Sequence, residues 1–219
     1  MRLATISSPH GSAAVVVQDG RAAVIEDGNR RRAYADVGAL LADGTAGQEA
    51  AKRTVATGRF EALERSQLLR PVLAPGAVVC VGLNYRAHIL EMGRELPEHP
   101  TYFAKLPRAL TDPYSEVPLP HASDCVDYEG ELVAVIGRGG RDIPEEEAWS
   151  AVAGVTLMND VSVRDFQRRT LQWFAGKRSS RRRWLTTPSS AHEPQDQAGA
   201  GGRRATALPA GQAQDATRT

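Results

Sequence analysis

Two glutamates stand at the start of an apolar segment, and their spacing predicts that they face the same way. Glu129 and Glu131 lead into the run from Leu132 to Ile136, which is typical of a buried strand. Residues two apart on a strand project to one face, roughly 7 Å from each other. Like charges beside apolar residues need a counter-ion or a shared proton. A hard cation with oxygen ligands, Mg²⁺, Mn²⁺ or Ca²⁺, meets that need; the alternative is a solvated pair on an exposed face.

A third carboxylate lies in a second β-rich segment. Asp160 stands in the middle of the run from Val155 to Val163 and follows Asn159. Polar side chains inside an apolar strand are costly without a partner. Together with Glu129 and Glu131, Asp160 would complete three carboxylate ligands of an octahedral oxygen site. Water would fill the remaining positions and give way to a chelating substrate.

A histidine and a glutamate occupy one face of a predicted helix. Asn84 is placed to cap a helix from Tyr85 to Met92, on which His88 and Glu91 are three residues apart. An imidazole oriented by a carboxylate can take a proton from water. The alternative for the same pair is an exposed ion pair.

Two cationic residues follow the Asp160 segment. Arg164 is suited to bind a substrate carboxylate with two parallel hydrogen bonds, and the alternative is a structural ion pair with Asp165 or another acid. Lys177 is suited to stabilise an enolate, and the alternative is an exposed lysine.

The pattern along the chain predicts an α+β fold, mostly β, in three parts. Residues 1–70 form a small N-terminal α+β domain, with a hairpin around Asp19 and Gly20, a helix capped by Asp36 and further helices over 48–57 and 61–69. Residues 71–177 carry all the candidate chemistry. Residues 178–219 form an Arg-, Ala- and Gly-rich tail.

Composition restricts the class of protein only moderately. The 219 residues are 42% hydrophobic and 24% charged, with a net charge of +1, which favours neither nucleic acid nor a membrane surface as partner. No apolar run approaches the roughly 18 residues that span a bilayer. Cys80 and Cys125 are too few for a disulfide framework, so we expect a reducing, cytoplasmic location.

Four segments together resemble the fumarylacetoacetate hydrolase family in order and spacing: residues 82–91, 102–105, 127–132 and 159–167. This resemblance implies a mixed β-roll, a small-molecule 2-oxo acid substrate and a homodimer. It also implies that Glu129, Glu131 and Asp160 bind Mg²⁺ or Mn²⁺. His88 and Glu91 would activate water on a lid, and Lys177, Arg164 and Gln167 would contact the substrate.

The implied reaction is hydrolysis of a carbon–carbon bond in an acylpyruvate or a related 2,4-dioxo acid, as in the catabolism of aromatic compounds. The substrate would chelate the metal, His88 and Glu91 would deliver hydroxide, and Lys177 would stabilise the pyruvate enolate. Decarboxylases and isomerases of 2-oxo acids share the same type of site, so the reaction subtype stays open.

The resemblance weakens after Lys177. Residues 178–219 contain seven Arg, two Leu and no Ile, Val, Phe or Met, a composition that predicts disorder. We expect a truncated or frame-shifted remnant that leaves the β-roll incomplete and the dimer in doubt. A catalytically inactive chain is therefore the alternative to an active hydrolase. DNA binding through the arginines is a third hypothesis. Interleaved aromatic residues or a nucleic-acid-binding fold would favour it, and the sequence indicates neither.

Overall fold

The N-terminal unit is an antiparallel sheet with two helices. The structure is a computed structural model that describes residues 1–28 and 32–177 and the backbone of residues 204 and 205. The five-stranded sheet has the order β6-β3-β2-β1-β7, and β4 pairs with β5. The bounds of these elements are β1 Arg2–Ser8, β2 Gly11–Gln18, β3 Arg21–Val24, β4 Glu26–Asp27, β5 Arg32–Ala33, α1 Val37–Ala42, α2 Gly44–Thr57, β6 Glu61–Ala62 and β7 Leu68–Leu69.

The turn between β2 and β3 is the predicted hairpin. Gln18 pairs with Arg21 across it, and the two residues between them, Asp19 and Gly20, have φ angles of 48° and 73°. Positive φ at both central positions gives the turn whose twist matches the flanking strands. The sequence prediction of a hairpin at this position is confirmed.

The core of this unit lies on both faces of β2. Ala14 and Val16 pack with Leu40 of α1 and Ala51 of α2 on one face, whereas Val15 packs with Ile6 on the other. The predicted helix over 61–69 is wrong. This segment forms β6, a 3-10 turn (Arg65–Gln67) and β7, because its backbone completes the two edges of the sheet by pairing with β3 and β1.

The second part of the chain is built from separate two-stranded antiparallel ladders. The pairs are β8 with β9, β10 with β15, β11 with β14, and β12 with β13. The bounds are β8 Val78–Gly82, α3 Arg86–Glu91, β9 Thr101–Lys105, β10 Val117–Pro118, β11 Val126–Asp127, β12 Gly130–Ile136, β13 Val152–Asn159, β14 Ser162–Val163, α4 Arg164–Gln167 and β15 Arg204–Ala205.

The β12–β13 ladder departs from the buried strand that the sequence predicts. Burial alternates along β12, and the outward face carries Leu132, Ile136, Val155 and Leu157, each between 60% and 72% exposed. No other element of the described chain packs over this face. The continuous apolar run therefore forms a strand that is only half-buried. Asp160 also lies just beyond β13, in the break before β14, and not in mid-strand as expected.

The predicted helix with His88 and Glu91 is shorter than expected. It is α3, its N-cap is Tyr85, and no side chain caps it, so the cap predicted at Asn84 is wrong. Outside these elements, the expected disordered tail of residues 178–219 lies almost wholly beyond the described residues. Within residues 1–28 and 32–177, no helix is both long and apolar enough to cross a membrane.

Asp36 joins the two parts of the chain. One carboxylate oxygen accepts a hydrogen bond from the amide of Ala39, 2.6 Å away, and caps α1 as predicted. The other oxygen accepts from the amide of Leu73 at 2.7 Å. The hydroxyl of Thr5 adds a bond to the carbonyl of Pro71 at 2.6 Å. The start of α1 is thereby tied to the segment that leads into β8.

Replacing Asp36 tests this junction. We expect Asp36→Ala to lower the free energy of unfolding by about 2–3 kcal/mol, since it removes a helix cap and leaves two amides without an acceptor. Asp36→Asn keeps one side-chain acceptor and should lose about half as much. Urea denaturation of the three proteins measures the difference, and equal stability of all three would contradict the assignment.

Candidate active site

The antiparallel register of β12 and β13 brings two of the candidate acids together. Glu129 immediately precedes β12 and Asp160 immediately follows β13, and Gly130 pairs with Asn159 between them. The amide of Asp160 donates to the carbonyl of Glu129 at 2.8 Å, and the amide of Glu129 donates to the Asn159 side chain at 3.1 Å. The ladder itself therefore fixes the backbone of both acids at one end of the pair.

Asp160 is a fully buried carboxylate between two lysines. Only 2% of it is exposed. Its Oδ1 bonds with Nζ of Lys105, and its Oδ2 lies 3.0 Å from Nζ of Lys177. Both lysines are buried as well, with 5% and 1% of each residue exposed. A buried charge requires such partners, and the three groups depend on one another.

Glu129 lies between a lysine and an arginine. Its Oε2 is 2.5 Å from Nζ of Lys177, and its Oε1 bonds with Nη1 of Arg164. Arg164 also contacts Asp127 Oδ2 through Nη2 at 2.8 Å and Gln167 Oε1 through Nη1 at 3.0 Å. The guanidinium is thus used in structural ion pairs, with Asp127 and Glu129 and not with Asp165. Its role toward a substrate stays a prediction, as does that of Gln167.

The ion pairs of Arg164 shift the pKa values of the groups involved. Burial alone would lower the pKa of the Arg164 guanidinium, but its bonds to Asp127 and Glu129 outweigh burial and raise it. The hydrogen bond from Arg164 lowers the pKa of Asp127. Both groups therefore stay charged, and the guanidinium is a permanent positive charge beside Glu129.

Glu131 differs from the other two acids. In the described part of the chain it makes no ion pair with a lysine or an arginine. Burial raises its pKa, its hydrogen bond with Tyr85 acts in the opposite direction, and the charges of Glu129 and Asp160 raise it further. The Tyr85 hydroxyl also accepts from the amide of Leu132 at 3.1 Å, which joins the start of α3 to the start of β12.

His88 and Glu91 form the predicted pair on α3. His88 Nδ1 lies 3.5 Å from Glu91 Oε2, and 64% and 79% of their side chains are exposed. This is the geometry of the exposed ion pair that the sequence left as the alternative. Ile89, which is 2% exposed, anchors the opposite side of the helix. Catalytic roles for His88 and Glu91 remain predictions, because apo geometry alone does not exclude a general base.

The carboxylates of Glu129, Glu131 and Asp160 are suitable ligands for a hard cation, although the oxygens of Glu129 and Asp160 already form ion pairs. Among the described residues, no three His, Cys, Asp or Glu side chains are grouped closely enough to hold a metal ion. Both oxygens of Glu129 and both oxygens of Asp160 bond with ammonium or guanidinium groups. Each carboxylate oxygen keeps a further lone pair, and oxygen ligands suit Mg²⁺ and Mn²⁺. Binding to Glu129, Glu131 and Asp160 therefore remains a proposal.

Lys105 is the site residue that the sequence analysis missed. It ends β9, and its ammonium bonds with Oδ1 of Asp160, whereas Lys177 bonds with Oδ2. A lysine at the end of an otherwise apolar strand was the available signal. The predicted alternative of an exposed Lys177 is wrong, because Lys177 is one of the most buried side chains in the described structure.

The position of Lys177 depends on the packing of Trp173. Both residues belong to the 3-10 helix Trp173–Lys177. The Trp173 ring meets Phe103 edge-to-face, with ring centroids 5.6 Å apart, and lies over Gly82 of β8. A Cβ atom at Gly82 would lie 2.0 Å from that ring. Only glycine leaves room for the tryptophan that holds this helix against β8 and β9.

Comparison with known proteins agrees with the resemblance drawn from the motifs. The family model described as the C-terminal domain of fumarylacetoacetate (FAA) hydrolase matches residues 77–200, more than half of the chain. The chain belongs to the fumarylacetoacetate hydrolase family. The match passes Lys177 and includes the part of the tail up to residue 200.

Curated relatives of this family member include two oxaloacetate tautomerases. The human mitochondrial protein FAHD2A is 42% identical over 142 residues, which are 63% of this chain and 45% of that protein. YisK of Bacillus subtilis is 41% identical over 120 residues, 52% of this chain and 40% of that protein. The chain thus spans less than half the length of these relatives. One is mitochondrial and the other bacterial, so the expected cytoplasmic location stays a prediction.

Solved structures show the same fold. A putative HpcE protein from Mycobacterium smegmatis has a TM-score of 0.66 at 34% identity, and the fumarylacetoacetate hydrolase of Exiguobacterium antarcticum has 0.67 at 27%. Each alignment covers 82% of this chain and 62% of the other. The maleylpyruvate hydrolase of a Sphingobium species, solved with manganese(II) and pyruvate, is alike in fold, with a TM-score of 0.61 at 24% identity. These neighbours confirm the α+β, mostly β fold class.

Gly82 provides a test of the packing around Lys177. We expect Gly82→Ala to lower the free energy of unfolding by about 1–3 kcal/mol, because the added methyl overlaps the Trp173 ring. Gly154 of β13 is the matched control, since a Cβ there meets no atom within 4 Å. Gly154→Ala should change stability by less than about 0.5 kcal/mol. Chemical denaturation followed by tryptophan fluorescence measures both, and equal effects would contradict the packing.

The two cysteines test burial near Asp160 through pH dependence. Burial, followed by the negative charge of Asp160, raises the pKa of the Cys80 thiol to about 11. Only the thiolate is alkylated, so at pH 8 about one Cys80 in 10³ is reactive. Cys125 is exposed. Mass spectrometry after iodoacetamide treatment of the native protein should show label on Cys125 and little on Cys80.

The Cys80 rate should rise about tenfold per pH unit toward pH 11. Cys125→Ser should remove the label observed at pH 8, whereas urea should expose both thiols to the reagent. Equal labelling of both cysteines in the native protein would contradict the partial burial of Cys80.

Proposed function

We propose that this protein is a divalent-metal-dependent enzyme that acts on the enolisable carbon of a small 2-oxo acid. The observation that carries the proposal is the buried Asp160 carboxylate, held with Glu129 between Lys105, Lys177 and Arg164. Burying so many charged groups together lowers the stability of the folded state. Such clusters are typical of active sites, where charge develops during the reaction.

The residues divide into those that hold an ion and those that face the substrate. Glu129, Glu131 and Asp160 would hold Mg²⁺ or Mn²⁺. When bound, that ion would supply Lewis acidity to the carboxylate and 2-oxo oxygens of the substrate. The maleylpyruvate hydrolase of similar fold was solved with manganese(II) and pyruvate, a small 2-oxo acid.

The side chains of this chain supply the remaining chemistry. Lys177 provides a buried positive charge where an enolate oxygen would develop negative charge. Arg164 and Gln167 lie beside Glu129 and would orient the substrate carboxylate. His88, oriented by Glu91, would move the proton at the reacting carbon or take one from water.

Two reaction types use these roles. The curated relatives are named as oxaloacetate tautomerases, which favours keto–enol interconversion of a 2-oxo diacid. Hydrolysis of an acylpyruvate is the second candidate, and the His88–Glu91 pair favours it because hydrolysis requires an activated water. A 5-carboxymethyl-2-hydroxymuconate delta-isomerase from M. smegmatis with a similar fold, 35% identical, is likewise named as an isomerase.

Parallel assays of the two substrates test the proposal. The purified chain should accelerate the conversion of enol-oxaloacetate to the keto form, followed by ultraviolet absorbance, and EDTA should abolish the rate until Mn²⁺ is restored. Asp160→Asn should reduce the rate by about 10³-fold, since it removes a buried charge of the site. Turnover of acetylpyruvate in place of oxaloacetate would select hydrolysis.

Histidine variants separate the roles within the site. His88→Ala should reduce the rate by about 10²-fold or more, the usual effect of losing a general base. His99→Ala is the matched control at another exposed histidine, and it should retain full rate. Folded protein that turns over neither substrate with Mg²⁺ or Mn²⁺ would overturn the proposal and favour a catalytically inactive family member.

A further inference from the structure

Glu131 is held in a different way from the other two acids of the site. Glu129 and Asp160 each bond with two cationic side chains, whereas the partner of Glu131 is the hydroxyl of Tyr85. A long side chain that is only partly buried keeps much of its rotational freedom unless a partner fixes it. The orientation of the Glu131 carboxylate therefore depends on Tyr85.

The Tyr85 hydroxyl forms hydrogen bonds with two consecutive residues of β12. It accepts from the amide of Leu132 at 3.1 Å and donates to the carboxylate of Glu131. A phenolic hydroxyl carries one proton and two lone pairs, so it can make both bonds at the same time. The first bond fixes the hydroxyl against the backbone of the strand, and the second fixes the carboxylate relative to that backbone.

The backbone of Tyr85 is itself held in place by the chain on both sides. Before it, Leu83 has a φ angle of 54°, in the left-handed region that a bulky side chain rarely adopts. Such a conformation persists only where surrounding contacts hold it. After it, the amide of Ile89 donates to the carbonyl of Tyr85 at 3.0 Å, and Ile89 is 2% exposed. Tyr85 thus reaches β12 from a backbone that is fixed at the start of α3.

A hydrogen bond to a ligand carboxylate affects how well that ligand binds an ion. Tyr85 and Glu131 line the same open hollow of the structure as Glu129, Asp160 and His88. A carboxylate that is already oriented loses less freedom when it binds an ion than a carboxylate that is free to rotate. Groups that hydrogen-bond to metal ligands therefore influence affinity although they do not touch the ion.

We propose that Tyr85 is a positioning residue that acts through Glu131: its hydroxyl holds the Glu131 carboxylate in the orientation that binds the divalent cation. Loss of the hydroxyl weakens the binding of the ion although all three acids are still present. This inference rests on the metal-dependent function proposed above, and it adds a residue outside the three acids to those that set the affinity of the site.

Manganese binding to tyrosine variants tests this role. The full chain and its Tyr85→Phe and Tyr102→Phe variants are titrated with Mn²⁺, and free Mn²⁺ is measured by electron paramagnetic resonance. Tyr85→Phe keeps the ring and removes the hydroxyl, so it should bind Mn²⁺ about 10- to 100-fold more weakly than the wild type. Tyr102 is another exposed tyrosine, on β9, and Tyr102→Phe is the matched control that should bind as the wild type does.

The dependence of turnover on Mn²⁺ separates positioning from a general structural role. If Tyr85 acts through Glu131, excess ion should compensate for the lost hydroxyl. Tyr85→Phe should need about 10- to 100-fold more Mn²⁺ for half of its maximal rate. At saturating Mn²⁺ its rate should lie within about threefold of the wild-type rate. A rate that stays low at saturating Mn²⁺, with an unchanged half-saturating concentration, overturns the inference.

Amide exchange in EDTA tests the hydrogen bonding without any ion and begins with the unmodified chain. The amide of Ala134 points to the same edge of β12 as that of Leu132, because alternate amides of a strand face one way. Measured by NMR, Leu132 should exchange with deuterium at least about fivefold more slowly than Ala134. Tyr85→Phe should remove this difference, and Tyr102→Phe should keep it. Equal exchange of the two amides in the wild type overturns the inference.

The outcomes separate this inference from the proposed function. Binding of Mn²⁺ by the wild type, with equal affinity in Tyr85→Phe, overturns the positioning role and leaves the metal-dependent function standing. Equal weakening by Tyr85→Phe and Tyr102→Phe also overturns it, because the effect is then not specific to the residue that contacts Glu131. Absence of Mn²⁺ binding by the wild type overturns both proposals. Weaker binding by Tyr85→Phe alone, with faster exchange at Leu132, supports the inference.

Discussion

The structure around the site depends on one constraint, the burial of the Asp160 carboxylate. An ionised carboxylate with 2% exposure is stable only with partners that return the free energy lost on dehydration. Lys105 and Lys177 are those partners, and both ammonium groups are buried together with Asp160. The strand β9 and the 3-10 helix Trp173–Lys177 must therefore meet at the end of the β12–β13 ladder.

The supporting packing follows from this requirement. Trp173 fixes the helix that carries Lys177 by lying over Gly82, and Phe103, the neighbour of Trp173, stands two residues before Lys105 in β9. Arg164 extends the charge network to Glu129 and Asp127 from the start of α4. A small number of apolar contacts thus positions a cluster in which every described buried polar side-chain atom has a partner.

The sequence indicated the acids of the candidate site more readily than their partners. Glu129, Glu131 and Asp160 could be proposed as site residues because carboxylates beside apolar strands are costly to bury, and that cost can be read from the sequence alone. Lys105 was missed because its partner is 55 residues away, and only the pairing of β9 with β8 and the end of the β12–β13 ladder bring the two together. The same limit applies to Arg164, which was expected to pair with Asp165 or another acid and instead pairs with Asp127 at the end of β11 and Glu129 just before β12.

Secondary structure was predictable where local chemistry decides it. The Asp19-Gly20 turn and the Asp36 cap depend on backbone angles and a side-chain acceptor within a few residues. The helix predicted over 61–69 was wrong because this segment pairs with β3 and β1 at the two edges of the N-terminal sheet. The strand Leu132–Ile136 was expected to be buried, yet its outward face carries exposed leucine and isoleucine, since burial depends on what packs over a strand and not on its composition.

The central claim is that Glu129, Glu131 and Asp160 converge on one divalent cation. A crystal structure of the protein grown with Mn²⁺, with anomalous diffraction data to locate the ion, tests this most directly. The account predicts one anomalous peak at roughly 2.0–2.6 Å from an oxygen of each of the three acids, the span that oxygen ligands of hard divalent cations cover. A peak elsewhere, or no peak with Glu129 and Asp160 still bonded only to their lysines and Arg164, would contradict it.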